Sequence, residues 1–129
     1  MGAPAGRLAV VGIDCRFPGA PDTGGFWDLL MRSGDGVSHV PQQRWDAGSF
    51  HSATGAEGRS NTTEGGFISD ADAFDTEFFT VSPREAAAMD PQQRLLLQSA
   101  WRSVEDAGYP PHGLSGSSTG VFVGIMSNE

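Results

Sequence analysis

A lone thiol and three imidazoles carry the most reactive chemistry in this sequence. Cys15, within "AVVGIDCRFPGA" (residues 9–20), is the single cysteine. A nucleophilic thiolate needs its pKa lowered by a helix N-terminus or a neighbouring cation. Arg16 is adjacent, and a helix is expected further along. Against that stands the tendency of free cysteines to be buried. Cys15 directly follows an apolar run, so packing is its expected role. His39, His51 and His112 show no ligand spacing, and no second Cys or HExxH pattern joins them, which argues against zinc. They are expected on loops or at the surface. Residue types alone leave a Ser-His-Asp triad open, but no nucleophile-elbow sequence supports one. A Walker lysine is impossible, because all 8 basic residues are arginine. "VVGIDCRFPG" lacks the G-x-G-x-x-G spacing, and "GLSGSSTG" precedes an expected strand and does not open a helix. Asp70, Asp72, Asp75 and Glu77 lack the central Gly and terminal Glu of a calcium loop. They read as a solvated face alternating with buried phenylalanines. "NTT" at Asn61 matches a glycosylation acceptor, without meaning in a cytoplasmic chain.

The elements that must position these residues follow from periodicity. Residues 8–13, "LAVVGI", form a short apolar run of the kind buried in parallel sheets. In "TGGFWDLLMRSGD", Phe26, Trp27, Leu30 and Met31 share a helical face, with Gly34 as the expected C′ stop. Residues 35–66 carry little periodicity and predict a long surface excursion pinned by Trp45 and Phe50. "GGFISDADAFDTEFF" sets Phe67, Phe74, Phe78 and Phe79 among carboxylates. Two helix starts follow. "SPRE" places Ser82 as cap, Pro83 at N1 and Glu85 at N3; "DPQQ" does the same with Asp90, Pro91 and Gln93. The second opens the strongest helix, residues 91–107. Its expected buried stripe is Leu97, Ala100, Trp101 and Val104, broadened by Leu96, and Gly108 and Pro110-Pro111 end it. "TGVFVGI" (residues 119–125) predicts a second buried strand. Two parallel strands with helical crossovers make an α/β unit, but too few strands for a covered parallel sheet.

The totals bound the function. At 129 residues the chain suits one domain. Gly 18 and Pro 8 predict long loops. A net charge of −8 argues against nucleic acid and against an anionic membrane. The all-arginine usage fits the coding bias of a GC-rich bacterial genome. One cysteine makes no internal disulfide. The N-terminus shows no signal peptide, anchor or myristoylation pattern, and no run is long enough to span a bilayer. A soluble, cytoplasmic protein is expected.

Together, "AVVGIDCRFPGA", "FWDLL", "VPQQRWD", "GGFISDADAFDTEFFTVSPREAAAMDPQQRLLLQSAWRSVEDAG" and "TGVFVGIMSN" resemble the N-terminal portion of a β-ketoacyl synthase domain of modular type I polyketide synthases. The resemblance runs from Leu8 to the end, after a short lead of residues 1–7. Thr80-Val81 stands where the family usually has Gly-Ile, and Met126 and Glu129 depart from its usual ending. The resemblance implies an α/β thiolase-like fold in αβαβα layers, of which this chain holds the N-terminal part, within a homodimer. It implies a cysteine that accepts an acyl chain from a phosphopantetheinylated acyl carrier protein. Two histidines then promote decarboxylation of a malonyl-type extender and carbon–carbon bond formation, without metal or nucleotide cofactor. The family's "DTACSSS"-, "EAHGTGT"- and "KSNIGH"-like motifs do not occur in this sequence. Cys15 matches the cysteine of the "ACRFPG" motif, which is structural, so no catalytic, cofactor or metal residue carries over. The segments present would scaffold the first half of the fold. "MSNE" (residues 126–129) would be its nearest functional edge, leading toward the dimer interface and acyl cavity. The lead contains no heptads for a helical docking segment.

Three readings result. The chain is the front end of a condensing enzyme; or a naturally truncated ketosynthase acting as a non-catalytic interaction or structural element; or an unrelated small α/β binding domain sharing the motifs by chance. The rest of the ketosynthase domain is the expected partner in the first.

Overall fold

The structure is a computed structural model and describes residues 6–125. Most of the lead and the "MSNE" edge lie outside the described residues. Helix α1 (Thr23–Met31) starts where Asp22, in extended conformation, accepts from the Gly25 N–H at 2.7 Å. It ends in a Schellman motif: the Ser33 N–H bonds Leu30 O and the Gly34 N–H bonds Leu29 O. Ser33, at φ 50°, is therefore the left-handed C′ residue, one position before the expected Gly34. A Cβ at Gly34 would stand 2.7 Å from Leu29 Cδ1 and push that buried side chain aside. The buried face also differs from expectation. Leu29 is buried and Phe26 half-buried against the Phe17 ring, 4.7 Å away, while Trp27, Leu30 and Met31 stay exposed.

Residues 35–66 are less irregular than their composition predicts. Strand β1 (Val37–His39) pairs antiparallel with β2 (Glu64–Gly66), Ser38 opposite Gly65, and closes the neck of the excursion. A second seam forms where the Ser60 N–H bonds Phe50 O and the Ser52 N–H bonds Ser60 O. Between them lies the short helix α2 (Ala47–Phe50), capped by Asp46. Trp45 meets Phe67 edge-on at 6.0 Å, as a pin should. Phe50, expected as the second pin, is exposed.

Helices α3 (Pro83–Ala88) and α4 (Pro91–Asp106) begin at the expected caps, with Ser82 Oγ accepting from Glu85 N and Asp90 Oδ1 from Gln92 N. Gly108, at φ 73°, closes α4, and a 3-10 turn follows at Pro111–Leu114. The stripe of α4 that packs is not the expected one. Trp101 and Val104 are half-buried, but Leu96, Leu97 and Ala100 are exposed. The seated residues Arg94, Gln98 and Trp101 follow i, i+4, i+7 spacing and lie on the segment 69–79. Phe78 meets Trp101 edge-on at 4.7 Å, and Phe74 stacks on Phe79 at 5.0 Å.

The two expected core strands are corrected. Residues 8–13 and 119–125 have no regular secondary structure, and Leu8, Val10, Val121 and Phe122 are almost wholly exposed. A strand is held by neighbours that accept its backbone bonds and cover its side chains. Among the described residues neither segment has a strand beside it, and the single ladder is antiparallel and not parallel. Burial is correspondingly thin: among the described residues, Ala20, Leu29, Ala71 and Ala86 are the buried ones. Among the described residues, no helix is long and apolar enough to cross a membrane.

Residues 76–79 form one turn, capped by Asp75 Oδ1 on the Phe78 N–H at 2.9 Å. The turn closes with Thr80 N bonded to Glu77 O and Val81 N to Thr76 O. Thr80 is thus the C′ residue of a Schellman motif at φ 55°, where a β-branched side chain is strained and glycine is favoured. Thr80→Gly is expected to raise stability by about 1 kcal/mol, the scale of the left-handed penalty. The urea midpoint measures it, and a lower midpoint contradicts the assignment.

Candidate functional site

The motif around Cys15 is built on a tight turn. Phe17 and Ala20 exchange backbone bonds at 2.8 and 2.9 Å across Pro18-Gly19. Proline at the second position and glycine at φ 72° at the third are what a type II turn requires. The turn delivers Asp22 to the start of α1 and leaves Cys15 half-buried behind it. Burial pushes the Cys15 thiol up from its ordinary pKa, and the charges of Asp14 and Asp22 push it the same way. The adjacent cation does not oppose this. The Arg16 guanidinium donates to Gln98 Oε1 at 3.1 Å and to Ser69 O at 2.7 Å. A thiol so placed stays protonated at neutral pH, where a nucleophile must be ionised.

The three histidines are not brought together. His39 lies on β1 opposite Glu64 of β2, its Nε2 3.7 Å from Glu64 Oε1, both side chains exposed. His51 sits in the second seam, bridged to Ser60. His112 lies in the 3-10 turn after α4. Among the described residues, no cluster of three His, Cys, Asp or Glu side chains is placed to hold a metal ion.

What the chain does assemble is a polar arrangement that its sequence did not reveal. Arg94 Nη1 donates to Asp72 O at 3.2 Å, and Gln98 Nε2 to Ala73 O at 3.0 Å, beside the Arg16 bond to Ser69 O. The arginines thus hold backbone carbonyls. Among the described residues, none forms an ion pair with a carboxylate, so Asp70 and Asp72 stay unpaired by Arg. The i, i+4 spacing of Arg94 and Gln98 is the one signal in the sequence. Arg94 Nε, Trp101 Nε1 and Asp14 Oδ2 are buried without a hydrogen-bond partner. An open groove of about 570 Å³ runs beside this region, lined by Ser38, Pro41, Arg44, Phe67, Asp70 and Asp72. It contains neither the thiol nor an imidazole.

Comparison with known proteins gives a consistent answer. The family model for the β-ketoacyl synthase N-terminal domain matches residues 5–129. One polypeptide of the phenolphthiocerol/phthiocerol polyketide synthase of Mycobacterium tuberculosis is 52% identical over 93% of this chain and 7% of its own length. Another polypeptide of that synthase, from the same species, is 51% identical over 98% of this chain and 8% of its own. Among solved structures, the ketosynthase from module 6 of the bacillaene synthase of Bacillus subtilis superimposes with a TM-score of 0.82 at 36% identity. That match covers 93% of this chain and 20% of the other. The oxazolomycin ketosynthase domain of Streptomyces albus gives 0.78 at 41% identity, over 83% of this chain and 19% of its own. The chain therefore has the N-terminal part of the thiolase-like ketosynthase fold, and it spans less than a tenth of the curated relatives' length.

Proposed function

Because the chain belongs to the β-ketoacyl synthase family, through its N-terminal domain, we propose that it is the scaffolding front of a polyketide ketosynthase. In this reading it contributes structure and no reacting group. The reaction belongs to the complete domain: an acyl chain passes from a carrier protein's phosphopantetheine thioester to a cysteine outside this sequence. Decarboxylation of a malonyl-type extender then generates the carbanion that attacks it. Partners are the rest of the domain, a second copy of the complete domain, and the acyl carrier protein.

The observation that carries the proposal is the state of Cys15. The one thiol in a segment of a cysteine-dependent family is pushed toward its protonated form, and its neighbouring arginine is bonded elsewhere. The buried polar atoms without partners on Asp14, Arg94 and Trp101 support it too. Such atoms each cost about 1–3 kcal/mol unless a partner arrives.

The test has two arms. The chain is incubated with an acyl carrier thioester at neutral pH and weighed by mass spectrometry; Cys15 is expected to remain unmodified. The chain also replaces the corresponding segment of a polyketide ketosynthase, with Cys15 intact and as Cys15→Ala. Both chimeras are expected to condense at rates within about threefold of each other, less than 1 kcal/mol in barrier. A stoichiometric acyl adduct on Cys15, or loss of condensation only in the alanine chimera, refutes the proposal.

A further inference from the structure

We propose that Arg16, Arg94 and Gln98 act as one clasp that holds residues 69–73 closed on α4, with Gln98 joining its two halves. The loop has its own reasons to open. Asp70, Asp72 and Asp75 put three carboxylates into six residues, and among the described residues none of them is paired with an arginine. Asp70 is also held in the left-handed region at φ 51°. What opposes opening is a row of charge-assisted and neutral bonds to backbone carbonyls. Arg16 holds Ser69 O at 2.7 Å, Arg94 holds Asp72 O at 3.2 Å, and Gln98 holds Ala73 O at 3.0 Å.

Gln98 is the joint because its amide does two different things. Its Oε1 accepts from Arg16 Nη1 at 3.1 Å while its Nε2 donates to Ala73 O. A carboxylate accepts and does not donate, and an ammonium donates and does not accept, so a primary amide is the group this position requires. Through it the segment at Cys15-Arg16, the acidic loop and the middle of α4 hold together, though they lie far apart in the chain. The aromatic cluster of Phe74, Phe78 and Phe79 on Trp101 follows directly after the clasped carbonyls. Release of the clasp is therefore expected to loosen residues 69–81 as a unit while α1 stays folded.

Amide hydrogen exchange on the 129-residue chain tests this. The reporters are Ala73 N–H, bonded to Asp70 O, and Phe78 N–H, bonded to Asp75 Oδ1. The references are Arg32 and Gly34 N–H at the end of α1. Gln98→Leu is expected to accelerate both reporters about tenfold or more and leave the references unchanged. In the double variant with Arg16→Leu, the acceleration is expected to fall short of the product of the single effects, as coupled residues behave. Unchanged reporters, or a multiplicative double variant, overturn the clasp. If Gln98→Leu unfolds the chain, so that α1 accelerates equally, Gln98→Glu decides. It keeps the acceptor for Arg16 and removes the donor to Ala73 O. Faster reporters with steady references support the clasp, and unchanged reporters overturn it.

Discussion

Gly12→Ala is expected to destabilise the chain by about 1–3 kcal/mol, the usual cost of forcing extra volume into a packed contact. A Cβ on Gly12 would collide with Ser103 O and stand 2.8 Å from Ala107 Cβ and 2.9 Å from Ala107 N. None of these is the movable tip of a long side chain. Ser103 O is the acceptor that closes the last turn of α4, bonded to Ala107 N at 3.2 Å. The new methyl must therefore open that turn or lift residues 8–13 away from the helix. Lifting them also breaks the bond from Ile13 N to Asp106 Oδ2, 2.9 Å long and the anchor of this segment. Stability of a small domain is itself only about 5–15 kcal/mol, and so few of the described residues are buried that this chain's share is expected at the low end. Gly124→Ala is the matched control. It lies in the other exposed apolar segment, and a Cβ there meets nothing within 4 Å. Its effect is expected within about 0.5 kcal/mol. Urea unfolding of both variants measures the difference, and a Gly12→Ala midpoint equal to the parent's refutes the close approach.

The features legible in the sequence were those whose causes are local. Ser82-Pro83 and Asp90-Pro91 cap α3 and α4 because each cap bonds an amide two or three residues away. Gly108 stops α4 for an equally local reason, its left-handed backbone. What failed was what depends on distant chain. The apolar runs at 8–13 and 119–125 have strand composition, but composition supplies no hydrogen-bonding neighbour. The β1–β2 neck was missed because three-residue strands, one of them Glu-Gly-Gly, are too short to show a period of two. The stripe on α4 was misjudged because leucines at 96 and 97 outweigh an arginine and a glutamine in any hydrophobic pattern. Yet this face of α4 meets loop carbonyls through Arg94 and Gln98, and aromatic rings only at Trp101. For the same reason the clasp was invisible. An arginine bonded to a carbonyl 53 residues away looks, in sequence, like an arginine in water.

The isolated chain is expected to self-associate as its concentration rises, and this is the largest change of behaviour that its surface predicts. Two apolar segments without regular structure carry the exposure. Leu8 is 100% and Val10 87% exposed in one, and Val121 84% and Phe122 96% in the other. Soluble monomers expose single apolar residues routinely, but not extended unpaired runs with free backbone donors and acceptors. Trp27, Leu30 and Met31 on the outer side of α1 add to the apolar area. The net charge of −8 opposes association, and screening by salt weakens that opposition. Light scattering should therefore show mass rising with protein concentration, and rising further between low salt and about 0.5 M, where the Debye length shrinks to a few ångströms. Replacing Val121 and Phe122 by Thr and Lys places a charge on the unpaired run and is expected to shift the onset to higher concentration. It should do so without altering the bonds that hold α4 to the 69–79 segment, because neither residue touches them. A monodisperse monomer at all concentrations, with a cooperative thermal transition, refutes this expectation. It would mean that the small packed region around α4 and the aromatic turn suffices to keep both apolar segments from pairing.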